Sequence, residues 1–400
     1  EDKNWKVKIN ILLEGSQKKE IKNISEHLTH RHRFCIDFHN LVPGIYRAKA
    51  FDQDTGKLLA ISNPVEIMDA SDNRDQIFWG EIHGHTEMSD GIGAFENLYE
   101  NAKNTGCLDF AAAADHACYF TDNQWEWMQD VTNSFNKPGR FCTIVGYEWA
   151  GNQGHRNIYT SENRLKLFRG MYKPAQDIEV VYKTFEGNPS VVAGPHTGHT
   201  GDFWKFHNPD VERFLEIYSM WGHFDHLANK LLNEGAIIGF TGGGDCHSGN
   251  VFFSPEDPDG QGKTPHFTSY AIKYKCGIMA AFMKTLDRKN LIDALRNRRI
   301  YATTSDRVLV DFSISGYKMG EMGTDGNIVI TADIHGCDII KKIEVVRNGT
   351  VVHVEKPESM DTMFQWKDSN IERKKYWYYL KITQKNREVA YTGPIWIEVI

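Results

Sequence analysis

The 400-residue sequence has no run approaching about 18 consecutive apolar residues, which excludes a membrane-spanning helix as its organising element. It has no CxxC pair. Its seven cysteines (Cys35, Cys107, Cys118, Cys142, Cys246, Cys276 and Cys337) are odd in number and scattered, so neither a disulfide framework nor a zinc ribbon is indicated. It also has no excess of positive charge. The 46 Lys and Arg face 53 Asp and Glu, and the net charge of -7 gives no general attraction to nucleic acid or to an anionic membrane. No Walker A or GxGxxG motif is present, and no GxSxG elbow or Ser-His-Asp order, so phosphate-cradling loops and covalent acyl chemistry are not indicated. Internal repeats and low-complexity segments are missing too. The opening EDKNWKVK lacks a basic stretch followed by an apolar one, so no signal peptide is expected within this chain. An upstream leader already removed is compatible with that, and the compartment stays open between cytoplasm, periplasm and the outside.

What is there is ordinary globular chemistry with an uneven distribution of histidine. Hydrophobic residues make up 40% and charged residues 25%. Of 17 histidines, 11 fall between Gln76 and Val310. Before that stretch, residues 5–11, 33–38 and 45–51 alternate in the period of half-buried strands, with turn signals at Val42-Pro43-Gly44 and Asp54-Thr55-Gly56. This predicts a small β-sandwich over residues 1–75. His27, His30, His32 and His39 fall there and read as a surface loop. Across 76–310, short apolar strands alternate with helical patterns, which predicts an α/β unit built on a parallel sheet or barrel. Beyond it, alternating stretches and an Asn348-Gly349 hairpin signal predict a second β-sandwich over 311–400.

Folds of the α/β kind place their chemistry at the C-terminal ends of the strands. Five successive predicted strand ends carry His, Asp or Glu: His83-Gly84-His85 with Asp90, Asp115-His116, Glu148 followed by His155, His196, and Asp245-Cys246-His247. His83 and His85 are two apart, so on an extended segment their imidazoles point the same way and Asp90 adds an oxygen from the following loop. Imidazole with carboxylate suits Zn, Mn, Fe or Ni better than Ca or Mg. Cys246 reads as a small packing residue. Gly242-Gly243-Gly244 reads as a tight passage of the chain rather than an anion cradle. Arg156, if it faces the site, favours an anion, whereas Lys205 reads as a surface charge.

His83-Gly84-His85 with Ser89-Asp90-Gly91, Ala114-Asp115-His116, Gly146-Tyr147-Glu148 and Asp245-Cys246-His247 together resemble the PHP (polymerase and histidinol phosphatase) superfamily. Residues 295–304 and the flanking β regions look like its carbaryl-hydrolase-like branch. The resemblance implies a distorted seven-stranded β/α barrel holding two or three divalent transition metals (Zn, Mn or Fe). It implies a first metal on His83, His85, Glu148 and Asp245. Glu148 would bridge to a second metal on His155 and His196, and a third would sit on Asp90, His116 and His247. His199 competes with His196 for its place.

Close metals lower the pKa of a bridging water and make it a nucleophile, with Glu148 and Asp245 as its chief protein partners. Three readings stay open. The first is a phosphoesterase acting on a small-molecule or sugar-derived substrate, since three metals against three carboxylates leave a cationic pocket. The second is a hydrolase of a carboxylic ester, carbamate or glycan-derived bond, which Trp125, Trp127, Trp149, Trp204 and Trp221 would suit. The third is a carbohydrate-binding module without catalysis. No nucleic-acid partner and no membrane insertion are expected, and the oligomeric state is left open.

Overall fold

The computed structural model describes residues 5–16, 19–28, 39–171, 175–196, 203–247 and 275–400. Their fold is mixed α/β and rich in strands. The first sheet is antiparallel, in the order Lys19–Leu28, Trp5–Glu14, Gly44–Asp52, Leu58–Ile61, with Val65–Ile67 also pairing to Gly44–Asp52. The predicted Asp54-Thr55-Gly56 turn is closed by the Asp52 carboxylate, which accepts from the Asp54 and Thr55 amides. Gly56 supplies the left-handed φ of 69° that the turn needs. The predicted strand at 33–38 lies outside the described residues, as do His30 and His32.

Gln76–Gly84 is the spine of the centre. It runs parallel to Phe110–Ala113, which runs parallel to Cys142–Thr143. Its other edge pairs antiparallel with Ile278–Met283, a strand the sequence reading did not find. The same sheet continues through Ile300–Thr303 and Val389–Tyr391 into the C-terminal strands and reaches 14 strands. The C-terminal β region is thus hydrogen-bonded directly to the central sheet. Its predicted hairpin joins Val329–Arg347 to Thr350–Glu355, with Asn348 and Gly349 both at positive φ.

Two smaller sheets complete the surroundings of the centre. One is antiparallel: Val145–Gly151, Gly154–Thr160 and Val191–His196. The other holds Phe214–Ser219 parallel to Gly239–Gly242, with the short Gly222–His223 alongside. Among the described residues the strands do not close into the expected seven-stranded ladder. Among the described residues the sheets are joined beside the centre by the isolated bridges Gly84↔Cys246, His116↔Glu148 and Ala193↔Glu212. The physical reason is the hairpin at Gly151–Gly154, which puts an antiparallel pair where a βα crossover was expected.

Helices cover the outer faces. Asp122–Phe135 starts in a Thr121/Gln124 capping box and buries Trp125, Met128, Gln129 and Thr132 at spacings of three and four, one helical face. Such a cap contributes about 1 kcal/mol. A second helix is α-helical over Phe95–Glu100 and then widens into a π turn at Asn101–Thr105. No helix among the described residues is long and apolar enough to cross a membrane.

Candidate metal centre

The centre begins with strand alternation. On Gln76–Gly84, Ile82 points into an apolar cluster with Phe110 and Ile144, so Glu81 and His83 point the opposite way. His85 follows just beyond the strand. Asp245 reaches the same space from the end of Gly239–Gly242. Its amide donates to the His83 carbonyl at 2.7 Å, and the His85 amide donates to the Cys246 carbonyl at 2.9 Å. Asp245 holds a left-handed φ of 46°, a conformation aspartate adopts more readily than most side chains, at a local cost of about 1–2 kcal/mol.

Four side-chain atoms converge here. His83 Nε2 lies 3.3 Å from His85 Nε2, 3.4 Å from Glu148 Oε2 and 3.4 Å from Asp245 Oδ1. His85 Nε2 lies 3.2 Å from Glu148 Oε2 and 3.0 Å from Asp245 Oδ1. Four ligands about 2.0–2.1 Å from one tetrahedral metal stand about 3.3 Å apart. The donor set and its spacing therefore fit a transition metal, and all four residues are buried.

The second oxygens of both carboxylates turn to further imidazoles. Glu148 Oε1 is 2.7 Å from His155 Nδ1, and Asp245 Oδ2 is 2.9 Å from His196 Nε2. The hairpin makes this possible, because His155 sits directly across from His196 in the ladder. On the other side, Asp90 Oδ1 is 3.4 Å from His247 Nε2, and Asp90 Oδ2 is 3.6 Å from His116 Nε2. These three, with His85, form another group able to hold an ion. His116 Nδ1, 3.3 Å from Glu148 Oε2, is buried without a hydrogen bond. The nine residues named as metal ligands from the sequence are thus brought together. His199 lies outside the described residues.

Two carboxylates that the sequence reading passed over belong to the same space. Glu216, on Phe214–Ser219, accepts from His83 Nδ1 at 2.7 Å and from His196 Nδ1 at 3.1 Å. It thereby fixes both tautomers with their Nε2 lone pairs turned to the centre. Glu81 accepts from the amides of His83, at 2.5 Å, and Gly244, at 2.8 Å. The available signals were a carboxylate inside an apolar strand and a carboxylate on the same face as His83. Gly243 has a packing reason of its own, because a Cβ there would collide with the Glu216 carboxylate. Asp115 points at the turn instead, accepting from the Thr86 amide at 2.7 Å and the Ser89 hydroxyl at 2.6 Å, which places Asp90.

Arg156 stands corrected. It follows His155 by one residue on a strand, so it points to the opposite face. There it is fully buried and donates to Glu212 at 3.0 Å and to the Tyr182 hydroxyl at 3.1 Å. The tryptophans also divide. Trp125 and Trp149 are core residues whose indoles donate to the Leu165 and Gln176 carbonyls, and Trp127 is exposed on its helix against Phe95. Trp221 does reach the centre, donating its indole N–H to Asp245 Oδ2.

Electrostatics follow from burial. Burial raises the carboxyls of Glu148 and Asp245, but the surrounding imidazoles outweigh it and hold both well below the usual range. Burial lowers His83 and His85, but the carboxylates outweigh it and hold both well above the usual imidazole value. His196, under the same opposition, is raised to about 10. For His116 burial wins, and its pKa falls to about 4. Glu81, buried beneath, is raised to about 8. The cluster therefore needs positive charge between its carboxylates, which protons or metal ions can supply.

Residues 94–188 match a family model described as "Protein of unknown function (DUF3604)". The chain is 26% identical over 404 residues to an uncharacterized protein of Chlamydia pneumoniae. It is 26% identical over 413 residues to another of Chlamydia trachomatis. Each alignment covers 89% of this chain and 62% of the relative, so the chain spans about 62% of the length of the curated relatives it matches. Among solved structures it is similar to a two-domain protein from Bacteroides vulgatus described as containing a "predicted PHP-like metal-dependent phosphoesterase". That match has a TM-score of 0.45 and 13% identity, and covers 85% of this chain and 100% of the other. The carbaryl-hydrolase-like branch has no counterpart in these matches.

Proposed function

We propose that this chain is a metal-dependent hydrolase of PHP type, with phosphoester hydrolysis as its reaction and a small-molecule or sugar-derived ester as its substrate. The observation that carries the reading is the convergence of His83, His85, Glu148 and Asp245 at tetrahedral-edge spacing, with the second carboxylate oxygens turned to His155 and His196. We read the three sheets as a distorted barrel whose rim is joined at the isolated bridges beside the centre. Two or three divalent transition metals (Zn, Mn or Fe) would be held there. Glu148 would be shared between the first and second positions, and Asp90, His116 and His247 would form the third. Bound metals would supply Lewis acidity and an activated water.

The protein's own groups set the stage for that chemistry. Glu148 and Asp245 provide the negative charge that keeps cations in place. Glu216 orients two imidazoles at once, and Trp221 restrains the Asp245 oxygen it touches. The His247 Nδ1–H donates to the Asp245 carbonyl at 3.0 Å, which leaves its Nε2 turned towards Asp90. A carboxylic ester or carbamate is the second reading. It is favoured by Arg156, whose guanidinium faces away and so offers no cation to a phosphoryl group.

The deciding experiment is elemental analysis of protein purified without chelator, joined to a panel of phosphomonoesters, phosphodiesters, carboxylic esters and carbamates. Two or three metals per chain and turnover of a phosphoester are expected. Glu148→Gln should lose metal and reduce turnover about 100-fold or more. Less than about one metal per chain, with no member of the panel turned over, would overturn the reading. Turnover of esters alone would replace it with the second.

A further inference from the structure

A cavity of about 510 Å³ lies at the other end of the strands that carry the metal centre. Ser161 follows the strand Gly154–Thr160, whose second residue is His155, and Ser190 precedes Val191–His196, which ends at His196. Six residues at about 3.3 Å each put the two ends about 20 Å apart. The cavity is therefore separate from the centre.

Its walls gather cations. Arg213, Lys289, Arg296 and Arg298 all line it. Arg213 and Arg296 share one oxygen of Asp210, at 3.5 and 3.6 Å, both long for an ion pair with a guanidinium. The other Asp210 oxygen accepts from the Gly187 amide at 2.5 Å. Arg298 bonds to the Gly320 and Arg296 carbonyls, and Lys289 is exposed; neither has an ion pair among the described residues. Two acids also line the cavity, so its lining sets four cations against two carboxylates. Asp293 takes Arg299 and Asn297, and Glu162 accepts from Ser190 at 3.0 Å.

Arg296 also donates to the Val191 carbonyl at 2.6 Å, and burial with mutual repulsion acts on Arg213 and Arg298. Burial and the neighbouring Arg213 lower the Arg298 guanidinium to about 10, and burial with Arg296 lowers Arg213. Arg298 also holds a left-handed backbone, at φ 60°. Like charges crowded in a half-buried hollow are stabilised by an anion, and guanidinium forks match the oxygens of phosphate. Ile292 and Pro189 add apolar wall beside the cations. A chain of net charge -7 gives a polyanion no general attraction, and a hollow of this size suits a small molecule.

We propose that this cavity is a second ligand site, for a small phosphate-bearing molecule, held by Arg213, Arg296, Arg298 and Lys289 and independent of the metal centre. The test is calorimetric titration of pyrophosphate into the metal-containing 400-residue chain and three variants. Lys289→Ala/Arg296→Ala should weaken one class of site about tenfold or more, with metal content unchanged. Asp245→Asn should leave that class in place. Lys289→Glu changes only an exposed helix residue, and should weaken the same class about threefold to tenfold if the double variant fails to fold. Wild-type binding in folded Lys289→Glu or in the folded double variant would overturn the proposal. So would the loss of all pyrophosphate binding in Asp245→Asn, which would assign every site to the metal centre.

Discussion

Glu216 shows how much of the centre depends on single atoms. One carboxylate accepts from two imidazoles, His83 and His196, one at each oxygen. An amide has one oxygen and one NH2, so Glu216→Gln would set a donor against an imidazole N–H and turn one ring. Groups that orient metal-bound histidines are worth about 10–100-fold in metal affinity. Glu216→Gln should therefore weaken metal binding by about that factor in a chelator competition, with the fold retained by circular dichroism. Unchanged affinity would remove Glu216 from the orienting role. Gly243→Ala attacks the same carboxylate from behind, because its Cβ would occupy the space the Glu216 oxygen holds. A similar loss is expected. At this scale the sequence was legible where histidine is concerned, because histidines at strand ends are conspicuous. It was not legible for Glu216 and Glu81, whose role comes only from what lies opposite.

Among the elements, the hairpin of Val145–Gly151 and Gly154–Thr160 decides the most. Read as sequence, the Gly151–Gly154 stretch is a loop that blurs the distance from Glu148 to His155. In the fold it is a tight turn that sets Glu148 opposite Asn157 and His155 opposite Ala150, with His196 on the far side. The register, which no spacing rule gives, aims His155 at Glu148. Gly154 sits at φ 93°, where a side chain is strained. Gly154→Ala should cost about 1–2 kcal/mol in urea denaturation. If the turn aims His155, the variant should also bind less than the wild-type complement of metal. A normal complement at reduced stability would separate the turn from the centre.

At the scale of the whole molecule, the N-terminal sheet is tied to the C-terminal strands by Arg47. Its guanidinium donates to both oxygens of Asp361, at 2.7 and 3.1 Å, and to the Gly336 carbonyl at 2.7 Å. His335 Nδ1 adds a contact to Asp361 at 2.8 Å. Burial raises the Asp361 carboxyl, but Arg47 and His335 outweigh it, so its folded pKa lies below the model-compound value of 3.8. A carboxyl depressed on folding contributes stability that is fully present above the unfolded pKa and is lost as pH falls through the folded one. Asp361→Asn should thus lower the Tm by about 1–3 °C at pH 6 and by nothing once the pH is below the folded pKa. The effect is small because Asp361 is half exposed. A deficit that persists in acid would mean the tie is one of shape, not charge.

The sequence by itself pointed to many of the strands, to the turns at Gly56 and Asn348-Gly349, and to nine candidate donors, because each follows from local periodicity, from backbone conformation or from residue type at a strand end. Tertiary structure decided which of those donors face one another. It sent Arg156 to the outer face through simple alternation, brought Glu216 and Glu81 in from strands that read as apolar, and joined the C-terminal strands to the central sheet at Ala302↔Tyr391. Local pattern specifies a direction along the chain and a face. Pairing between residues more than a hundred positions apart, such as His83 with Glu216, depends on how the sheets close around a shared interior, and no local pattern records that.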